Sequence, residues 1–466
     1  MNKLTSLAVA VLATSSMLSA AHAVTVTPTF GGYLRAGLDH AQHGKYTSWN
    51  KKKVGRFGNE SDLWSEIAIG ANMTGVKDYV FGVQTRLIYS NENGIDPEKK
   101  KDVYLDECYA TLKGAFEFSK DATIWAGKRY YHREQTEIMD YKWYQIEGYG
   151  AGIEYIDVGP GKLSFAWFSK TDADFSYKDK YKANGSSTWG EIANDKDNAI
   201  HGKDWDKITT DIKTEKFDLE YGMTLWEGSW LNLRGTLLVP ETDDNNYMEL
   251  ADQPNVANGK ILAASLGTSY GIGYCTTAIQ FISGPNASTT FENGNWIDYW
   301  GVDKVNDAHR WQFLNYGDMK IGDFGLAHSL YYTVGSGFEG SDTDKESDKA
   351  FSFAVRPYYK LTDITKIAAE LGFFTETTKY QNGESVNSKG QKATLAYVLS
   401  PDAGDWKSRP ELRFYVTYLH SNDYEASVNS PSQDKGVTIH YANGTEKYLA
   451  PRDNQVIVGA QFEAWW

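Results

Sequence analysis

The chain of 466 residues carries 61 acidic and 47 basic side chains, a net charge of −14, which excludes a nucleic-acid binder because that function needs a basic face. Mean hydropathy is low at −0.52, yet aromatic residues make up 14% of the chain, with 31 tyrosines and 15 tryptophans, as expected of a large β protein. Two cysteines, Cys108 and Cys275, are too few for a disulfide-framed module.

Residues 1–23, MNKLTSLAVAVLATSSMLSAAHA, open with a lysine near the start, continue through an apolar stretch around Leu7 to Leu18, and end in Ala21-His22-Ala23. That pattern predicts a secretory signal peptide with a small-x-small cleavage site, so the mature chain begins at Val24. After it comes no run of about 18 apolar residues, and no membrane-spanning helix is expected.

The first predicted strand lies around Tyr33. Tyr33 and Arg35 share one face, and Phe30, Gly32, Leu34, Ala36 and Leu38 share the other. Trp64 and Glu66 then oppose Leu63, Ile67 and Ile69. In YVFGVQTRLIY, Tyr79, Phe81, Val83, Leu87 and Tyr89 alternate with Gly82, Gln84 and Arg86. FDLEYGMTLW sets Phe217, Leu219, Tyr221, Met223 and Leu225 against Asp218, Glu220 and Thr224, and in ELRFYVTYLH the apolar Leu412, Phe414, Val416 and Tyr418 alternate with Glu411, Arg413, Tyr415 and Thr417. The closing VIVGAQFEAWW puts Val456, Val458, Ala460, Phe462, Ala464 and Trp466 on one face and Gln461, Glu463 and Trp465 on the other. Strict period-two alternation marks strands between two different environments. A soluble sheet also alternates. Here, however, the second face collects charged groups together with aromatic rings.

Secretion, many strands of roughly ten residues and apolar faces ending in aromatics fit an all-β transmembrane barrel. Closure lets every backbone group find a partner inside the bilayer. Long polar stretches such as Lys170 to Lys213 read as extracellular loops, and short joints such as VGPGKL read as periplasmic turns. No composition break divides residues 24–466, so one barrel domain is expected. At about 20–25 residues per strand and connection, it should hold about 16 to 22 strands. Catalytic signals are weak. GPGKLS looks like a hairpin turn rather than a phosphate loop, and H-E-x-x-H, G-x-S-x-G and C-x-x-C are missing. No enzyme activity, metal or cofactor is expected.

The stretch TIWAGKRYYHREQTEIMDYKWYQIEGYGAGIEYIDVGPGKLSFAW, residues 123–167, resembles the maltoporins, sugar-specific porins of Gram-negative outer membranes. GGYLRAG, GRFGNESDLWSEI, WKSRPELRFYVTY and the terminal GAQFEAWW match the same family in order. The resemblance implies a multi-pass outer-membrane protein, a homotrimer of 18-stranded antiparallel barrels in contact with outer-membrane lipid. It also implies an inward-folded constriction loop, here 130–149. The implied substrate is an oligosaccharide, foremost maltose and the malto-oligosaccharides. A related porin for sucrose or aryl-glucosides, a general diffusion porin and a secreted carbohydrate-binding β protein stay open as alternatives.

Carried over by position, the aromatic lane for the sugar would contain Tyr33, Trp64, Trp406 and Trp465. Its polar track would contain Arg35, Arg56, Glu66, Arg133 and Asp140. Four departures stand out. Lys142 takes the place of the constriction tyrosine, Asp106 that of a track arginine, Gln135 that of a track aspartate and Thr277 that of a lane phenylalanine. The tryptophan that a neighbouring subunit lends to the pore mouth has no match in NENGIDPEKKKD. Asp106 and Lys142 carry opposite charges and are expected to attract one another in a narrow pore of reduced dielectric.

Overall fold

The computed structural model describes residues 24–42, 48–91, 103–175, 180–183, 190–191, 205–207, 210–242, 257–287, 306–338, 345–421, 437–440, 446–449 and 454–466. The expected signal peptide, 1–23, and the stretch NENGIDPEKKKD after its first residue lie outside these residues.

The alternating segments become eighteen long strands. The first six are β1 (Thr25–Ala41), β2 (Leu63–Gly75), β3 (Lys77–Asn91), β4 (Tyr104–Lys113), β5 (Thr123–Thr136) and β6 (Tyr141–Val158). The next six are β7 (Gly161–Phe175), β8 (Thr210–Trp226), β9 (Ser229–Thr242), β10 (Gly259–Tyr270), β11 (Gly273–Ser283) and β12 (His309–Ile321). The last six are β13 (Phe324–Ser336), β14 (Lys345–Lys360), β15 (Thr365–Tyr380), β16 (Ser385–Leu399), β17 (Glu411–Ser421) and β18 (Asn454–Trp465). Each pairs antiparallel with its neighbours in chain order. β18 returns to β1 in the register Tyr33↔Trp465, so the 18-stranded sheet closes.

Connections differ sharply at the two ends. Val76 alone joins β2 to β3, and pairs such as Gly159–Pro160 and Gly322–Asp323 join β6 to β7 and β12 to β13. The opposite end carries the long connections, for example the one after β7. Lys180–Ala183, Gly190–Glu191 and Trp205–Lys207 form a small sheet there. The stretch Lys170 to Lys213, expected to be all loop, is not: β7 runs on to Phe175 and β8 starts at Thr210. Among the described residues, helix is confined to α1 (Lys51–Val54) and the 3-10 turn Pro285–Ala287. Cys108 and Cys275 are both free thiols.

Polarity is inverted relative to a soluble fold. Phe30 and Leu38 are each 65% exposed on β1, whereas Arg35 between them is 5% exposed. The same holds around the barrel: Phe217, Leu262, Ile279, Phe313, Leu371, Leu395, Phe414 and Val458 face outward, while Asp218, Gln280, Gln312, Glu370, Lys392 and Arg413 are buried inside. An apolar outer belt around a polar lumen is the polarity a bilayer requires. The final two residues divide between the two worlds. Trp466 lies 5.6 Å from the outward Phe30 ring, and Trp465 stacks on Tyr33, their ring centres 6.4 Å apart.

A cation placed in the outer belt should be costly. Leu371, 50% exposed near the middle of β15, is a suitable site. Leu371→Arg is expected to lower stability by about 2–4 kcal/mol in urea unfolding from phospholipid vesicles.

Candidate functional site

The lumen is narrowed from two sides. The first obstruction grows out of the wall itself. β4 pairs with β5 only as far as Cys108↔Lys128, and β6 pairs with β7 only from Tyr149↔Ser169 onward. Residues 129–148 therefore leave the wall as a hairpin, with register shifts at Tyr130/His132 and Glu134/Gln135. The inward element expected at 130–149 is this continued ladder, with only 137–140 outside the strands.

The hairpin crosses to the far wall and is pinned there. The Tyr144 hydroxyl meets Asp218 at 2.7 Å and Thr236 at 2.6 Å, on β8 and β9. The Tyr141 hydroxyl donates to Gln312 at 2.5 Å, and the Gln280 amide donates to the Trp143 carbonyl at 2.9 Å. Tyr141, Trp143, Tyr144 and Ile146 are buried in that contact. Aromatic bulk combined with a polar tip suits a seat on a polar wall.

The second obstruction is the segment 48–62, which lies on the opposite wall. Phe57 is clamped by its own backbone: its N–H donates to Glu370 at 2.9 Å, and its carbonyl accepts from Lys392 at 2.7 Å and Thr394 at 3.0 Å. Asn59 ties the segment to itself, its amide donating to the carbonyls of Trp49 and Gly55, each at 2.9 Å. Close approach needs a glycine on the wall, because a Cβ at Gly372 would run into the Val54 carbonyl. Glu60 anchors the charged end, with Lys51 at 2.8 Å, Arg56 at 2.9 Å and Arg35 at 3.2 Å. Burial alone would raise its pKa, but Arg35, Arg56 and Lys51 outweigh that and hold the carboxyl well below the usual range.

Between the obstructions run two joined cavities. The one toward the long connections is about 550 Å³ and is lined by Tyr33, Trp64 and Glu66 together with Arg133, Asp140 and Lys142. The other, about 310 Å³, lies toward the short turns and includes Tyr33, Trp406, Trp465, Arg409 and Glu463. Tyr33, Arg56 and Gln135 border both, so the two form one lane.

Eleven of the thirteen positions singled out from the sequence border this lane. Tyr33 is held by three neighbours: its hydroxyl donates to Glu463 at 2.8 Å and accepts from Arg56 at 2.6 Å and Arg35 at 3.3 Å. Arg35 grips Asp62 with two nitrogens, at 2.7 and 2.6 Å. The Trp64 indole N–H donates to Glu66 at 2.8 Å, and Arg86 holds the other Glu66 oxygen at 2.6 Å. Trp406 is only 7% exposed, with the Arg356 guanidinium 5.8 Å from its ring centre. Arg409 lies 3.8 Å above the Trp465 ring, so one face of that ring is already covered.

Asp106 does not border the lane. Leu87 pairs with Leu105 and Arg86 with Glu107, leaving Asp106 as the extra residue of a bulge. Its carboxylate lies 3.7 Å from Lys128 and accepts from the Tyr130 hydroxyl, and among the described residues no ion pair joins it to Lys142. The expected Asp106–Lys142 attraction is thus replaced by contacts at the base of the hairpin. Thr277 is also off the lane. It shares the outward face of β11 with the exposed Ile279 and accepts from Asn315 at 2.9 Å.

Sequence reasoning missed Lys51, Lys52, Glu137, Lys407, Arg409, Arg413 and Glu463 as lining residues. For Arg413 and Glu463 the signal was present, since each alternates onto the polar face of its strand. Lys51 and Lys52 had none, because nothing local says that their segment folds inward.

Glu60→Gln leaves one buried and two partly buried cations short of a carboxylate, and a loss of about 3 kcal/mol is expected in urea unfolding at neutral pH. Since the folded-state pKa is depressed, the wild-type contribution is complete above the ordinary carboxylate value near 4.3 and is lost as pH falls toward the folded value. Heat-unfolding midpoints measured from pH 7 to pH 3 should therefore drop further for wild type than for Glu60→Gln.

Comparison with known proteins adds the evolutionary frame. Maltoporin 1 of Klebsiella pneumoniae subsp. pneumoniae is 32% identical, over 99% of this chain and 97% of that protein. A Maltoporin 2 of Yersinia pseudotuberculosis is 30% identical, over 94% and 93%. Solved porin structures resemble it loosely. The anion-selective porin from Comamonas acidovorans gives a TM-score of 0.43 at 9% identity, over 95% of this chain and 100% of that one, so the barrel assignment rests on this chain's own strand pairing. The LamB porin family matches residues 29–466, nearly the whole length of the barrel. The chain belongs to the LamB porin family.

Proposed function

We propose that this porin carries out facilitated diffusion of oligosaccharides, with maltose and the malto-oligosaccharides as the leading substrates, as a homotrimer and without any catalytic step. The chain is a multi-pass β-barrel of the Gram-negative outer membrane. The proposed mature form starts at Val24, after removal of residues 1–23.

One observation carries the sugar reading: Trp64, Tyr33, Trp465 and Trp406 border one continuous lane whose remaining lining is ionic apart from Ser48 and Gln135. A pyranose presents an apolar face suited to an aromatic ring and a rim of hydroxyls suited to charged groups. Trp64 is held for that use by Glu66. Tyr33 sits where the two cavities meet, so a sugar moving along the lane passes it in either direction. Conduction needs sites that bind well enough to admit a sugar and weakly enough to release it. Several half-open rings in series supply such sites. The names of the relatives, both maltoporins, point to the same sugars.

The test is sugar block of ion current in planar bilayers. Maltotriose should reduce the current reversibly, and channels should close in three steps if three barrels insert together. Each stacked ring should supply about 1 kcal/mol. Trp64→Ala and Trp465→Ala are therefore expected to weaken block roughly fivefold each. No block by any neutral oligosaccharide would reduce the reading to a general diffusion pore. N-terminal sequencing of protein purified from outer membranes should begin at Val24.

A further inference from the structure

The wider cavity has an unusual charge balance for a chain of net charge −14: six cationic side chains and three carboxylates line it. All three carboxylates are already engaged. Asp62 is held by Arg35 at 2.7 and 2.6 Å, Glu66 by Trp64 and Arg86 at 2.8 and 2.6 Å, and Asp140 lies 3.6 Å from Lys51. Two of the cations are left over. Arg133 and Lys142 form no ion pair among the described residues. The Arg133 guanidinium lies 4.9 Å from the Tyr130 ring centre, and its Nε is buried without a hydrogen-bond partner.

Both residues belong to the lumen-crossing hairpin and are neighbours on it. Lys142 pairs in register with the neutral Gln135, two residues from Arg133 on the same strand. Residues two apart on a strand share a face, so Arg133, Gln135 and Lys142 present one surface to the cavity. Trp64 borders the same cavity. Asp140 and Glu147 act on Lys142 only from beyond ion-pair distance. Two partly desolvated cations with no paired carboxylate are unfavourable in the empty pore, and an anion entering between them relieves that. A neutral hydroxyl relieves it less, because it brings no opposite charge to the two cations.

We propose that the wider cavity prefers sugars bearing an anionic group, a carboxylate or a phosphate ester, seated between Arg133 and Lys142 while the pyranose ring lies on Trp64. This rests on the sugar-channel reading above and deepens it. Neutral oligosaccharides still use the lane, but acidic ones bind it more tightly.

The experiment compares half-blocking concentrations in planar bilayers for maltotriose, its C6-carboxylate derivative, glucose, glucose 6-phosphate and inorganic phosphate, in 0.1 M and 1 M KCl. In wild type the carboxylate derivative should block at roughly tenfold lower concentration than maltotriose. Glucose 6-phosphate should block better than glucose by a similar factor if phosphate esters fit as well as carboxylates. The preference should shrink in 1 M KCl, as screening requires. In the double variant Arg133→Gln, Lys142→Gln the acid-to-neutral ratio should fall close to one. Lys142→Gln alone, the milder change, should give an intermediate ratio. Equal half-blocking concentrations for the acidic and neutral trisaccharides in wild type overturn the proposal. So does a ratio that survives in the double variant, or inorganic phosphate that blocks as well as the acidic sugars, which would make the cavity a plain anion filter. If no sugar blocks at all, the sugar-channel reading falls together with this one. A failure of the ratio alone leaves that reading standing.

Discussion

A backbone amide in hydrocarbon has no water to bond, and every other feature of this protein depends on how that constraint is met. Eighteen antiparallel strands closing through Tyr33↔Trp465 leave no open edge within the sheet. Closure then forces the inversion of polarity. Outward positions in the belt have to be apolar, so charges such as Asp218, Glu370, Lys392 and Arg413 are turned inward. A soluble β-sandwich has no room for Glu370, Lys392, Glu411, Arg413 and Glu463 in its interior. In a barrel of this width they become the lining and the mortar of a pore.

Those charges hold the obstructions in place. Glu370 serves Lys392 at 2.6 Å, Arg356 at 2.7 Å and the Phe57 N–H at 2.9 Å, and thereby seats the segment 48–62. Glu463 joins Arg409, Arg413, Arg56 and Tyr33 at the narrow end of the lane. Buried ion pairs are weak evidence for stability, because desolvation offsets much of their attraction. Their contribution here is directional. Each fixes a side chain that would otherwise swing into the passage, and each places a ring such as Tyr33 at a set angle. The hairpin adds hydroxyl and amide contacts from Tyr141, Trp143 and Tyr144 to two ion pairs of its own, Glu134 with Arg234 at 2.7 Å and Glu137 with Lys407 at 3.2 Å. Its cations Arg133 and Lys142 are left without an ion pair among the described residues, beside the lane.

Much of the barrel was legible in the chain. The faces of β1, β2, β17 and β18 follow directly from alternation, and the split between Trp465 and Trp466 is a matter of parity. Family resemblance supplied the strand number and most of the lining. Two positions escaped it. Asp106 sits at a bulge, where one extra residue changes what a side chain meets, and Thr277 lies one step out of phase with the lumen-facing Ala278. Position-by-position transfer assumes an unbroken register, and a shift of a single residue turns a side chain to the other face.

Period-two alternation is a property of neighbouring residues, so inside and outside were determined locally, by the sequence alone: which rings face lipid, which charges face the pore, and where the chain turns. What blocks the pore was decided only by tertiary structure. The Lys392–Phe57 contact joins residues 335 apart, and Tyr141–Gln312 joins residues 171 apart. No local pattern encodes such pairs. They form because a closed barrel brings distant strands round a common lumen, where any polar group on an inward segment has to find its partner on the wall it reaches.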